Sequence, residues 1–301
     1  MKRREFIDAL GAGSLALAGM KLSAAPAGSA LAAARPDILI AHGTPIPAIV
    51  RAALDGLGGI KRFVAKGDVI VIKPNIGWDR TPEQAANTHP QVVATLVTLC
   101  FEAGAAKVKV FDRTCNDPRR CYVQSGIEAA ARAAGAEVSH IDDRKFREVQ
   151  IPGGVAFKSW PLYAEALDAN KLINVPVAKH HSLSRVTLGM KNLMGIMGAN
   201  RGQVHQRLDD ALVDVASVVK PVLTVIDATR ILTAHGPQGG NLADVRKLDL
   251  VAAGTDPVAM DAWGATLFGL SGADLGYVVK GAARGLGVMD LNRLRIQKVE
   301  A

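Results

Sequence analysis

From residue 69 onward the chain alternates short β-branched runs with longer stretches of helical periodicity. The run "VIVI" leads into Lys73, and the next periodic segment opens "THPQVV", where Pro90 suits the first helical turn and Thr88 or His89 the cap. "KVKVF" reads as a strand, residues 122–134 as a helix and "EVSHI" as another strand. In the second half, "KLINVPV" is a buried strand, and "LDDALVDVASVV" places Leu208, Leu212, Val215 and Val219 on one helix face. "VLTVID" and "LDLVAAG" are further strands, and "TDPVAMDAWGATLFGL" is a helix with Asp256 as N-cap and Pro257 at its first position. This βαβ rhythm predicts an α/β fold with a mostly parallel or mixed sheet and helices on both faces. No Pro/Gly/Ser linker and no repeat divides the chain, so residues 33–301 read as a single domain. Residues 151–169 read as an insertion or a β-hairpin.

Residues 184–197 fit a helical wheel. Val186, Met190, Leu193, Met194 and Met197 fall on one face, with Thr187, Lys191 and Gly195 along its flank.

Open parallel sheets bind ligands beyond the carboxyl ends of their strands. Polar residues gather at those ends here: Lys73 and Asn75 after "VIVI", Asp112 and Arg113 after "KVKVF", and Lys179, His180 and His181 after "LINVPVA". After "VLTVI" come Asp227, then Arg230 and His235. His180 and His181 point to opposite sides of an extended chain, so one of them faces a given ligand. The loop "GIMGANRGQVHQ" offers Gly195, Gly198 and Gly202 for positive φ and exposed backbone N–H groups, with Arg201 and His205 beside them. It matches neither the P-loop nor the dinucleotide fingerprint. Each candidate has a structural alternative: strand-end lysines, capping aspartates, surface histidines, and a plain turn in "HGPQGG".

The expectation is one rim holding an anion. Lys73, Asn75, Lys191, Asn192, Arg201, Gly195, Gly198 and His235 are its binding residues, and His180, Lys179 and Asp227 its acid/base candidates. His205 is the metal-ligand candidate.

Composition sharpens this reading. The chain of 301 residues is 49% hydrophobic, enough for a substantial core, and carries a formal charge of +8. Aromatics are only 4%, which argues against a single-strand nucleic-acid groove, and the positive charge suits an acidic small ligand or plain solubility equally well. The opening "MKRREFIDALGAGSLALAGMKLSAAPAGSALAAARP" pairs Arg3 and Arg4, continues through a weakly apolar run and ends in Ala30, Leu31 and Ala32 as a small-x-small cleavage site. Residues 1–32 resemble a twin-arginine export signal. They hold four basic and two acidic residues, so cleavage takes the charge from +8 to +6. The twin-arginine machinery is thus an expected partner and the periplasm, or an equivalent exported location, the expected destination. No later run reaches the eighteen or so apolar residues of a membrane span. Three cysteines are too few for an all-cysteine iron–sulfur cluster. Cys100 reads as a core residue, whereas Cys115 and Cys121 in "CNDPRRC" read as a local disulfide or, against their spacing, a metal pair.

"VIKPN", "THPQVV", "KHHSLSRVTLGMKNLMGIMG", "HQRLDDALVDV", "VIDATRILTAHGPQGG" and "AAGTDPVAMDAWGA" together resemble the domain of unknown function 362 family, in order from about residue 69 to 287. Many relatives carry a ferredoxin-like cysteine segment that this sequence lacks. A more distant similarity links "KNLMGIMG" and His205 to the nickel-dependent lactate racemase superfamily. That resemblance implies Lys191 as anchor of a nickel-pincer nucleotide and His205 as a ligand, and so a metal or phosphate-bearing cofactor. Two functions remain in view: an exported protein that binds a small anion or cofactor and performs acid/base or redox chemistry, and a non-catalytic exported binding or maturation factor.

Overall fold

Period-two alternation along the strands builds two cores, one on each face of the sheet. The computed structural model describes residues 35–301, so the expected export signal lies outside the described residues. In β1 (Ile38–His42), Ile38 and Ile40 enter one apolar cluster while Leu39 and Ala41 enter the other. After helix α1 (Ile46–Gly56), strand β2 (Val69–Pro74) repeats the division, with Val71 on the first side and Ile70 and Ile72 on the second. Helix α2 (Pro90–Glu102) starts at the expected proline, and His89 caps it by accepting from Gln91 N at 3.2 Å. Thr88, the alternative cap, instead accepts from Asn75 N and donates to the Val175 carbonyl, tying two strand ends together.

Strand β3 (Lys107–Val110) follows, then helices α3 (Pro118–Gln124) and α4 (Ile127–Ala133). Residues 122–134 are therefore not one helix. Gly126 takes φ +69°, a left-handed conformation that an α-helix cannot continue through. Strand β4 is only Glu137–Val138, and His140 beyond it rests edge-on against Tyr122, with ring centroids 4.6 Å apart. The ambiguous region contains most of a hairpin: β5 (Phe146–Gln150) pairs antiparallel with β6 (Ser159–Tyr163), ahead of α5 (Ala164–Leu167).

The run "KLINVPV" divides at Pro176 into β7 (Lys171–Val175) and β8 (Val177–His181). The helix expected over residues 184–197 does not form as such. Arg185–Thr187 is strand β9, whose ladder joins Lys179 to Thr187 and His181 to Arg185, and hairpin pairing suits the β-branched Val186 and Thr187. Only Gly189–Asn192 makes an α turn, α6, followed by a 3₁₀ turn over Leu193–Ile196. The methionine face is buried all the same, and Thr187, Lys191 and Gly195 still share one side, because a strand end and a single turn bring them there.

Helix α7 (Leu208–Val218), strands β10 (Leu223–Leu232) and β11 (Val245–Gly254), helices α8 (Pro257–Thr266) and α9 (Gly276–Ala283) and strand β12 (Ile296–Glu300) complete the described chain. Asp256 caps α8 as expected, accepting from Val258 N and Ala259 N. The main sheet has ten strands, with the order β12-β1-β11-β10-β7-β2-β3-β4 and the β8–β9 hairpin attached at β10. The β7-β2-β3-β4 pairs are parallel, and β11 runs antiparallel to both β1 and β10. Helices α1, α2 and α4 supply one apolar layer and α7, α8 and α9 the other. The fold is mixed α/β with helices on both faces.

Candidate functional site

Parallel strands β2 and β3 end side by side, so Lys73 and Asp112 emerge together at their carboxyl ends. Lys73 Nζ lies 2.7 Å from Asp112 Oδ1, and both side chains are buried. The same amine donates to the Pro74 carbonyl at 2.8 Å and to Asn192 Oδ1 at 3.0 Å. Asp112 Oδ2 accepts from Ile76 N at 2.6 Å. Asn192 is used on both sides: its oxygen also takes Asn75 Nδ2, and its nitrogen donates to the Lys73 carbonyl and Asn174 Oδ1.

A turn crosses over this pair at Gly195. A Cβ there would stand 1.7 Å from Asp112 Oδ1 and 2.4 Å from Lys73 Nζ, so glycine is required for close approach. Gly195, Gly198 and Gly202 are not among the residues with positive φ, which corrects the reason expected for them; Ala199 is the left-handed residue of that loop. Gly198 packs on Phe146, where a Cβ would meet Cδ1 at 2.8 Å, and does not line the cavity.

The cavity above these residues encloses about 700 Å³, ample for a small ligand. Lys73, Asn75, Lys179, Lys191, Asn192, Gly195, Arg201 and His205 all line it, together with Asp112, Arg113, Cys115 and His181. Lys179 Nζ donates to the Ala86 carbonyl at 2.5 Å, the Pro237 carbonyl at 3.0 Å and Asn75 Oδ1 at 3.2 Å. Among the described residues Lys191 Nζ meets only Met194 Sδ at 2.9 Å and His205 Nε2 at 3.4 Å. Arg113 and Arg201 strap the walls: Arg201 donates to the carbonyls of Arg113 and Thr114, and Arg113 to those of Met197 and Ala199.

Five basic side chains thus face one acid, and that acid is paired. Burial pulls the Lys73 amine below the ordinary lysine value, and Asp112 opposes the shift. Burial brings Lys179 down to about 7 and Lys191 to about 8. The His181 ring is held down at about 3 by burial and then by the Lys191 and Lys179 charges. Burial, with Lys191, lowers His205 as well. His181 Nδ1 accepts from Leu183 N and Ser184 N, which leaves the hydrogen on Nε2. The cavity therefore presents two neutral imidazoles beside two lysines that exchange protons near neutrality.

Besides Gly198, three expected residues stand elsewhere. His180 lies on the opposite side of β8 from Lys179, in a separate cavity with Arg185 and Phe268, and its Nδ1 accepts from Gly236 N. His181, two residues beyond Lys179, is the histidine in the main cavity, and strand alternation was the signal for it. Asp227 is buried against backbone, accepting from His89 N at 2.6 Å and from Thr229, so it positions the start of α2 and does not line the cavity. His235 is exposed and pairs with Asp244; Pro237 is what its loop contributes. Cys115 and Cys121 are free thiols, Cys115 exposed and Cys121 buried.

Sequence reasoning also missed Asp261 on α8. Its carboxylate accepts from Gly189 N at 2.6 Å and Met190 N at 2.9 Å, capping the turn that carries Lys191 and Asn192. Among the described residues no group of three or more His, Cys, Asp or Glu side chains is arranged to hold a metal ion. His205 Nε2 faces the Lys191 amine, so these residues do not assemble a metal site from protein donors.

A family model described as a domain of unknown function (DUF362) matches residues 70–266. The chain belongs to the DUF362 family. Every residue lining the cavity lies within the DUF362 segment. The chain is 28% identical over 222 residues to a thylakoid-associated protein of Synechocystis sp., covering 71% of this chain and 67% of that one. Among solved structures, the lactate racemase apoprotein from Thermoanaerobacterium thermosaccharolyticum aligns with a TM-score of 0.48 at 12% identity, covering 77% of this DUF362 chain and 57% of that one. A Thermotoga maritima protein aligns with a TM-score of 0.42 at 9% identity, covering 76% and 60%. The DUF362 chain thus spans less than two thirds of either solved chain, and neither assigns a role to its residues.

Proposed function

We propose that this DUF362 protein binds a small anion, a carboxylate or phosphate, in the Lys/His/Asn-lined cavity and exchanges a proton with it. One observation carries the reading: five basic side chains line the cavity and its single acid is already committed to Lys73. A low-dielectric pocket with surplus cations favours an anion by more than the same charges would in water. Lys179 and Lys191, at about 7 and 8, give it groups that hold or release a proton at working pH. The test is calorimetric titration of the full chain with inorganic phosphate and with glycolate, against the uncharged analogue ethylene glycol. Saturable anion binding that is lost in the Lys179→Met/Lys191→Met double variant is expected; binding of ethylene glycol with no anion preference would sink the reading.

Export through the twin-arginine route is the accompanying proposal. The paired Arg3 and Arg4 support it, as does the description of the Synechocystis relative as thylakoid-associated. Among the described residues no helix is long and apolar enough to cross a membrane. Replacing both arginines by lysine should leave the protein in the cytoplasmic fraction; unchanged export would remove the proposal.

A further inference from the structure

The three cavity lysines differ in what their amines touch. Lys73 has a carboxylate, a carbonyl and an amide oxygen within 3.0 Å. Lys179 likewise has three oxygens. Lys191 has none among the described residues: its neighbours there are a thioether, a weak acceptor, and an imidazole nitrogen. With only 7% of the residue exposed, a charged amine there has lost most of its water without gaining an oxygen in exchange. Such a site favours the neutral amine, whose lone pair is a nucleophile. His205 Nε2, 3.4 Å away, is within reach to carry its protons.

We propose that Lys191 captures the carbonyl of a small 2-oxo acid as a Schiff base, with His205 moving the proton between nitrogen and departing oxygen. The carboxylate half of this substrate class rests on the anion-binding reading above; the carbonyl half rests on Lys191 alone. The neutral amine attacks the carbonyl carbon, forming a C–N bond as the C=O π pair moves to oxygen. The imidazole takes a proton from the new ammonium and returns it to that oxygen, giving the carbinolamine. Protonation of the hydroxyl by one proton from solvent, delivered through the imidazole, lets water leave as the nitrogen lone pair closes the C=N bond. The balance is amine, carbonyl and one proton in, iminium and water out, with no oxidant or reductant. Lys179 and Arg201, lining the same cavity, supply charge for the carboxylate.

The test incubates the full chain with glyoxylate and cyanoborohydride, which reduces an imine to a stable secondary amine, and maps the adduct by peptide mass spectrometry. Labelling at Lys191 ahead of every exposed lysine is expected. Label confined to exposed lysines, or appearing first on Lys179, overturns the proposal. Glycolate, which has the carboxylate but no carbonyl, separates the two readings: calorimetric binding of glycolate with no adduct from glyoxylate leaves anion binding standing and removes the Schiff base. Failure of both removes both. Lys191→Met should lose the fast-forming adduct; because mapping on the unaltered chain already locates it, the test does not depend on that variant folding. His205→Gln should slow adduct formation about a hundredfold, within the usual range for a lost proton carrier, while the final yield is unchanged. An unaltered rate would remove His205 from the step.

Discussion

The two ends of the cavity use similar residues for opposite purposes. At the β2–β3 end, Lys73 is ion-paired with Asp112 and hydrogen-bonded to Asn192, whereas at the α6 end Lys191 and His205 face each other with no carboxylate or amide between them. A buried polar network that is complete fixes geometry; one that is incomplete is open to a guest. The sharpest way to break this contrast is to replace each lysine by methionine. Lys73→Met strands the buried Asp112 carboxylate and should cost about 3–5 kcal/mol in urea unfolding. Lys191→Met removes a poorly partnered amine and should change stability by no more than about 1 kcal/mol, or raise it, while weakening anion binding. Comparable losses for the two variants would mean that both ends are scaffold.

Gly195 marks the boundary between them. Its Cα passes so close to the Lys73–Asp112 pair that an alanine Cβ would overlap the carboxylate. Gly195→Ala should therefore destabilise by about 3 kcal/mol, the upper part of the range for overpacking. The comparable Gly202→Ala, where the nearest neighbour of the new Cβ is the Asn200 side chain at 2.9 Å, should cost far less because that side chain can turn away. Equal costs in thermal unfolding would mean that the turn moves freely over the pair.

Much of the β2–β3 end was legible in the sequence, because strand ends collect ligand-facing residues by a rule of sheet geometry. Lys73, Asn75 and Lys179 follow such strands, and alternation alone separates His181 from His180. What stayed hidden depends on contacts between distant segments. Asp227 looked like an acid at a strand end, yet His89 N, 138 residues away, takes up its carboxylate. Asp261 lies 72 residues from Gly189 and sits in a helix that reads as core. The wheel over residues 184–197 grouped the right side chains through the wrong structure, since Thr187 comes from a hairpin strand and Lys191 from a single turn. The outer strands β1 and β12 carried no motif that drew attention, although their alternation was present.

Proton exchange gives a finer test of the contrast. In the empty cavity Lys179 and Lys191 lose charge as pH rises through about 7 and about 8. An anion prefers the protonated amines, so affinity should be highest below pH 7 and should weaken above it, by up to about tenfold per pH unit for each group that must regain its proton. Titration with glycolate between pH 6 and pH 9 measures this, and buffers of different ionisation enthalpy count the protons taken up. For the unliganded protein the same lysines lie below their ordinary value, so their contribution to stability is present above about pH 10 and is lost as pH falls through 8 and 7. Lys179→Met should remove part of that dependence. Affinity that is flat across this range would show that the two lysines do not hold the anion.

The smallest expected effect concerns Asp261, which supports the α6 end from below while touching no guest. Its two oxygens serve two backbone N–H groups, and asparagine offers one oxygen and an NH₂ that cannot accept. Asp261→Asn should therefore cost about 1 kcal/mol, as for other lost helix caps. Burial raises the Asp261 carboxyl to about 7, with the two N–H groups opposing. Because the folded value lies above the ordinary 3.8, the contribution of this carboxyl is fully present below about pH 4 and is lost as pH rises through 7. The cost of Asp261→Asn should accordingly be greatest in acid and shrink toward neutrality, as read from urea midpoints at pH 4, 5.5 and 7. If Lys191 needs this cap only for placement, glycolate affinity in the variant should fall by less than the loss of Lys191 itself produces. A loss as large as that of Lys191→Met would move Asp261 from the scaffold into the binding apparatus and redraw the line between the two ends.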